Sequence, residues 1–416
     1  MALLDRPWLL TWTACFAGPV DVPDVEELRA FMLSFIEEHP RHIIAMRCNR
    51  EALRWEVVPQ GERRAHAERV ISYAPDPDLG SEAQFVNAHA PGLEDPHPFK
   101  IVVGAESVAH YVCHGVGDAP AIGTVTGAVL RRDAALLASL EPRIRTADVF
   151  GWMLRQCVRE PRATLDAVRN RHRQVDPGII NRTDAHPPTP LRPGGPTIVA
   201  TSLSADVVRD VRSWRDTEMP GVSVASIFAT AAFLALDRAG IAMNPSSFHA
   251  VVDTRRHVPE AHRRKAGNLA KGLDVVADMR NPRSVAAAMG EAVTSRRPIL
   301  SMLASVVNTA RGRFERRPEP EDAPVTGPMT LGFSWLPDGS TTDVLPWIPG
   351  RDRRFVAGAR STGRHGIGVF AIPIGATLEV SASFHSAGAD PLRVHNALEA
   401  LGSIRSVLNG AFAPAP

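Results

Sequence analysis

Cysteine is scarce: Cys15, Cys48, Cys113 and Cys157 are scattered, with no C-x-x-C pair among them. A disulfide framework or a structural zinc site is therefore not expected. Lysine is scarcer still, with Lys100, Lys265 and Lys271 the only three, so arginine carries almost all the positive charge. Coding bias in a GC-rich genome explains that more simply than arginine-specific recognition. With a formal net charge of +2, no field favours nucleic acid or an anionic membrane. No run of about 18 uninterrupted apolar residues is present, so no membrane span is expected. Residues 1–7 carry an early acid and no long apolar run, which argues against a signal peptide and for the cytoplasm.

What the sequence does hold is ordinary globular material, 44% hydrophobic and 22% charged. A chain of 416 residues exceeds one core and predicts two domains of about 200 residues each. Residues 174–196 change character: Pro177, Pro187, Pro188, Pro190, Pro193 and Pro196, with Gly194 and Gly195, form no packed element. The expected division is a lobe at 1–175, a Pro/Gly-rich crossover at 176–196 and a second lobe at 197–416.

Apolar periodicity predicts strands at 8–16, 43–47, 53–58 and 69–73, and a loop-rich stretch at 75–98. Asp21 with Pro23 signals a helix whose apolar face carries Leu28, Met32, Phe35 and Ile36. The second half predicts strands at 197–202, 248–252, 329–335, 368–373 and 377–384. Helices are expected at 204–214, 224–239, 285–296 and 392–408. Both halves mix strands with helices, so the fold class is α/β in two lobes.

One stretch invites chemistry. A strand-like run at 108–112 delivers Cys113 and His114, and Gly115, Val116, Gly117 and Asp118 follow. Glycine tolerates close approach and unusual backbone angles, so Gly115 and Gly117 read as a tight turn. A histidine at a strand end with a carboxylate on the same loop suits a general base and its support. Adjacent strand residues point to opposite faces, so Cys113 should be buried packing rather than a nucleophile. Metal binding through His114 and Asp118 finds no third ligand at convincing spacing.

The chain resembles the CoA- or carrier-dependent acyltransferases with the chloramphenicol acetyltransferase fold, a group that includes condensation domains. Their His-His-x-x-x-Asp-Gly motif stands here as Cys113-His114-Gly115-Val116-Gly117-Asp118-Ala119, with its first and last positions replaced. Val251-Val252-Asp253-Thr254-Arg255 looks like the family's Asp-x-Arg strand end, and Gly267-Asn268 like its Gly-Asn pair. The ending, Phe370 to Ile374, Leu378 to Phe384 and a helix from Leu392, also matches.

The resemblance implies a two-lobed pseudo-dimer, each lobe a mixed sheet with flanking helices, and an active site in a tunnel between them. It implies acyl transfer from acyl-CoA or an acyl carrier protein's phosphopantetheine, as cosubstrate rather than bound cofactor, to a small-molecule hydroxyl or amine. His114 would be the general base, and Asp118 would pair with Arg255 to hold the His114 loop, with Gly117 at its turn. Asn268 or Ser334 would help stabilise an oxyanion or contact substrate. A monomer acting in natural-product or lipid biosynthesis is expected. Alternatives are non-acyl chemistry on a carrier-bound substrate, or a degenerate binding or scaffold protein.

Three other features have bland readings beside functional ones. Arg255, Arg256, His257, His262, Arg263, Arg264 and Lys265 are the densest basic patch, either a phosphate contact or a solvated loop. Gly363 to Gly368 reads as a flexible turn, and His385 as a surface histidine.

Overall fold

The computed structural model describes residues 3–412 apart from 10, 93, 174–193, 264, 313–326, 337–341 and 361–363. The first half supplies β1 (Trp12–Gly18), β2 (Met46–Asn49), β3 (Arg54–Val57), β4 (Ile71–Tyr73), β5 (Phe99–Val103) and β6 (Val108–Cys113). The second supplies β7 (Pro196–Ser204), β8 (Met243–Asp253), β9 (Ala270–Val276), β10 (Met329–Trp335), β11 (Arg354–Arg360), β12 (Gly366–Ile374) and β13 (Thr377–His385). They form two mixed sheets, ordered β11-β1-β6-β5-β4 and β7-β13-β12-β10-β8-β9, with β2 and β3 a separate pair. The class is α/β in two lobes, as the sequence pattern predicts.

Each sheet is built where apolar side chains have somewhere to go. In the first, β6 is buried along its whole length. One face packs Val112 and Ile101 against Leu28, Met32 and Phe35 of helix Val25–Glu38 and Val125 and Val129 of helix Ala119–Arg131. The other face packs Trp12 and Tyr111 against Phe85 and Val86. In the second, helix Val224–Arg238 is buried nearly all round, as its unbroken apolar surface predicts, and lies under Leu331, Phe333, Val369 and Val380. A further cluster joins Leu4, Val149, Met153, Val258, Leu269, Ile299 and Met302 beside the join between the lobes.

Chain order does not partition the sheets. Strand β11 comes from the second half yet pairs antiparallel with β1, placing Arg360 opposite Trp12. It is also tied to the second sheet by side chains, since the Ala357 and Ala359 amides donate to the Ser381 and Ser383 hydroxyls, each at 3.3 Å. Of the crossover expected at 176–196, residues 176–193 lie outside the described residues.

Several local expectations change. The stretch 63–70 is helical, so only Ile71–Tyr73 of the third short strand remains. The stretch 75–98 contains helix Glu82–His89, whose Ala83, Phe85 and Val86 are buried. Helix Arg297–Ala310 and strands β9 and β11 have no counterpart in the sequence reading. The first helix begins at Val25 with the Asp24 carboxylate accepting from the Glu26 amide, three residues later than Asp21 suggests. The C-terminal helix is broken by a 3-10 turn at Ala400–Ser403, which contains Gly402. Among the described residues, no helix is long and apolar enough to cross a membrane.

Candidate active site

His114 leaves the end of β6 in the tight turn expected of it, with its amide donating to the Thr11 carbonyl at 2.9 Å. Glycine is needed here for space. A Cβ on Gly117 would lie 2.6 Å from the Ala121 Cβ, and one on Gly115 would lie 2.8 Å from the Leu9 side chain. Asp118 then opens helix Ala119–Arg131.

Asp118 does not touch the imidazole. Its carboxylate takes a two-pronged grip from Arg255, with Nη2 donating to Oδ1 at 2.7 Å and Nη1 to Oδ2. The Leu269 amide donates to Oδ2 as well, at 3.1 Å. Asp118 is buried, and the Arg255 side chain keeps 14% exposure. The paired carboxylate raises Arg255 above its ordinary value against the opposing loss of hydration. Because Arg255 follows β8, this pair bolts the His114 turn to the second lobe. Asn268 adds a second bolt, its buried amide donating to the His114 carbonyl at 2.9 Å. That bond uses one of the two Nδ2 hydrogens, and Oδ1 is enclosed with no hydrogen-bond partner among the described residues.

The imidazole itself is half-buried. Nε2 shares a hydrogen bond with Thr13 Oγ1 at 2.9 Å, while Nδ1 is enclosed with no hydrogen-bond partner among the described residues. The Trp8 ring lies against it, centroid to centroid 5.4 Å. Loss of hydration pushes the His114 pKa down to about 4, although the Asp118 charge pulls the other way. The ring is therefore neutral at physiological pH, with one nitrogen able to accept a proton.

Another ion pair secures the N-terminal segment against this turn. Arg143 Nη2 donates to Asp5 at 3.1 Å and to the Gly115 carbonyl at 3.3 Å. Burial lifts the Asp5 carboxyl to about 6, with Arg143 opposing. Trp8, Thr13, Asp5 and Arg143 all escaped the sequence reading. Residues 8–16 look like one strand, whereas Arg6–Trp8 is a 3-10 turn that folds back over the histidine.

A cavity of about 580 Å3 lies between the lobes. Trp8 and Thr11, ahead of β1, and Ala359 and Arg360 of β11 border it on one side; Ser334, Phe370 and Ser383 do so from the second sheet. Its floor is nearly bare backbone. Gly332 and Gly368 stand in register, flanked by His249 on β8 and Ser383 on β13. The stretch at 363–368 is thus no flexible turn from Gly366 on: Gly366 and Gly368 are in β12, and residue 363 lies outside the described residues. His114 does not border the cavity; Trp8, which does, covers it.

The predicted residues divide accordingly. His114, Gly117, Asp118, Arg255 and Asn268 come together at one junction, while Ser334 stands apart on the cavity floor. Cys113 points into the apolar cluster around Trp12 and Tyr111, and burial pushes its thiol up to about 12. A thiol so held is no nucleophile at neutral pH. His385 is buried at the end of β13 rather than at the surface, and its Nδ1 accepts from the Ala387 amide at 3.3 Å. The basic patch disperses: Arg255 turns inward, Arg263 donates to the Val258 carbonyl at 3.1 Å, and His262 packs on Trp152. Residue 264 lies outside the described residues. Sequence reading also passed over His249, whose Nδ1 pairs with Asp274 at 3.0 Å beside the cavity.

No family model matches this sequence, and no curated protein matches it either. Solved structures do match in shape. The trichothecene 15-O-acetyltransferase TRI3 of Fusarium sporotrichioides superposes with a TM-score of 0.58 at 11% identity, over 97% of this chain and 92% of that one. The first condensation domain of the calcium-dependent antibiotic synthetase gives 0.55 at 14% identity, over 100% and 96%. The X-domain of teicoplanin biosynthesis, solved in complex with OxyB, gives 0.54 at 14% identity, over 100% and 93%. The chain has the two-lobed fold that these acyltransferase and condensation structures share.

Proposed function

We propose that the protein transfers an acyl group from a CoA or carrier-bound thioester to a hydroxyl or amine, with His114 as general base. One observation carries this reading: a neutral imidazole held at the lobe junction by residues from both lobes, next to a cavity of small-molecule size. Thr13 Oγ1 lies 2.9 Å from Nε2, so the ring already accommodates a hydroxyl at hydrogen-bond distance. An acceptor there would give its proton to the imidazole as its oxygen or nitrogen attacks the thioester carbonyl. Collapse of the tetrahedral oxyanion would expel the thiolate, which takes the proton back. Asp118 would favour the transient imidazolium through its charge, the direction in which it already shifts the ring.

A second reading has one observation in its favour. Trp8 covers His114 and separates it from the cavity, an arrangement that also suits a binding protein with the same fold.

One assay separates the two. A panel of acyl-CoA and acyl-phosphopantetheine thioesters, offered with alcohol and amine acceptors, is followed by free thiol release. Acyl transfer predicts release that falls about 10²- to 10⁴-fold in His114→Ala, the usual worth of a general base. No release from any thioester, or release unchanged in His114→Ala, defeats the assignment.

A further inference from the structure

Arg360 ends β11 at the rim of the inter-lobe cavity, opposite Trp12. Its Nη1 donates to the Pro91 carbonyl at 2.9 Å, yet its Nε is shut away from solvent with no hydrogen-bond partner. Among the described residues no carboxylate pairs with it. Burial pulls this guanidinium below its ordinary value, and the neighbour that favours its charge is a phenol, Tyr111. Arginine keeps its proton regardless, so the cavity is bordered by a cation that no carboxylate compensates among the described residues. Proteins normally pair such groups, because a charge taken from water without a partner is costly.

The rest of the lining points the same way. His249 and His365 join Arg360, while Asp274, the carboxylate that borders the cavity among the described residues, is already engaged by His249. Trp8, Val251 and Phe370 supply apolar side chains to the remaining wall. The glycine floor leaves room for a flat or extended molecule to lie on the sheet.

We infer that this cavity takes a carboxylate-bearing small molecule, its carboxylate received by Arg360. The inference names the substrate class of the same inter-lobe site, and so rests on the acyl-transfer reading for the molecule's role as acceptor. Strands β11 and β6 flank β1, which sets Arg360 and the end of β6 about two strand spacings, roughly 10 Å, apart. A hydroxy or amino acid of that reach can lie in the cavity, anchored at Arg360 with its nucleophile toward Trp8, and meets His114 only where Trp8 stands aside. A planar guanidinium receives carboxylate and phosphate alike, but beside apolar side chains a singly charged carboxylate costs less to desolvate than a doubly charged phosphate.

Binding tests this without any turnover. Melting of the full chain is followed at constant ionic strength with hydroxy acids of increasing size, from 3-hydroxybenzoate to 3-hydroxydecanoate, each beside its primary amide. Inorganic phosphate serves as a further probe. At least one acid should raise the melting temperature where its amide does not, and Arg360→Gln or Arg360→Met should bind that acid about ten- to hundredfold more weakly. Both variants should still fold and melt cooperatively without ligand, because Arg360 is half-buried and its described side-chain hydrogen bond is the one to the Pro91 carbonyl. Equal response to acid and amide, no response to any acid, the same response to phosphate, or undiminished binding in Arg360→Gln overturns the inference. Failure of thiol release would leave these readings intact, so the two conclusions fail separately.

Discussion

Replacing Asp118 with asparagine keeps the side chain's shape and removes its charge. What remains is the Arg255 guanidinium, 14% exposed, facing a neutral amide at the lobe junction, with the exposed Asp253 carboxylate 3.8 Å away as its remaining counter-charge. Asn Oδ1 can still accept from the Leu269 amide, so that bond contributes little to the loss. The charge-assisted contacts to Nη1 and Nη2 contribute most of it. Removing one partner from a fully buried pair costs about 3–5 kcal/mol. Partial exposure of the guanidinium lowers this to about 2–4 kcal/mol here. The expected outcome is an Asp118→Asn protein whose guanidinium midpoint falls at unchanged slope, followed by circular dichroism at pH 7. Arg255→Met should cost a similar amount. The double variant, with neither charge left, should lose about 2–3 kcal/mol less than the sum of the two. Asp118→Asn at wild-type stability but without turnover would refute the clamp and move Asp118 into the chemistry. Coincidence of transitions from both lobes must be checked first, since a two-lobed chain need not unfold in one step.

Other expectations follow from the same residues. Trp8→Ala should let water reach His114 and raise its pKa from about 4 toward 6.5, read by NMR titration of the imidazole; an unchanged titration would show that Trp8 is not what dehydrates the ring. Acid should destabilise the fold early. His42, His66 and His110 are buried with pKa values lowered to about 4 by loss of hydration, so below pH 6.5 the unfolded chain binds protons that the folded chain refuses. Their stabilisation is complete above about pH 6.5 and is lost toward pH 4, at up to about 4 kcal/mol per pH unit for three groups. Asp5, raised to about 6, works in the opposite sense and softens the fall; a flat stability profile from pH 7 to 4.5 would contradict the burial of these histidines. Gly117→Ala should weaken both folding and turnover, because its Cβ would have to displace Ala121; wild-type melting would show that the turn relaxes freely.

Much of this was legible in residues that a strand or a turn constrains. The burial of Cys113 and the turn at Gly115 and Gly117 follow from alternation and from glycine's small size. Helix Val224–Arg238 was readable because an unbroken apolar surface has nowhere to go but a core. What stayed hidden depends on contacts between distant segments. Nothing local to Arg6–Trp8 says that it folds back onto His114, and nothing local to Arg354–Arg360 says that it joins β1. Helix Glu82–His89 was masked by the prolines around it, and the floor glycines of β10 and β12 resembled turn residues until their register aligned them. Ser334 lies on the cavity floor away from the His114 turn, whereas Asn268 reaches that turn because β9 starts beside it.

The placement of β11 has a consequence for how the chain is made. As it leaves the ribosome, the first half carries β1 with one edge unpaired until most of the second half has been synthesised. An open strand edge is a template for pairing with another chain, and a contact so distant in sequence forms late. The nascent first lobe is therefore exposed to association with its neighbours for most of translation, and a fragment that stops at the crossover would keep that edge permanently. The same strand that hangs Arg360 over the cavity is the one whose arrival lets the first sheet close.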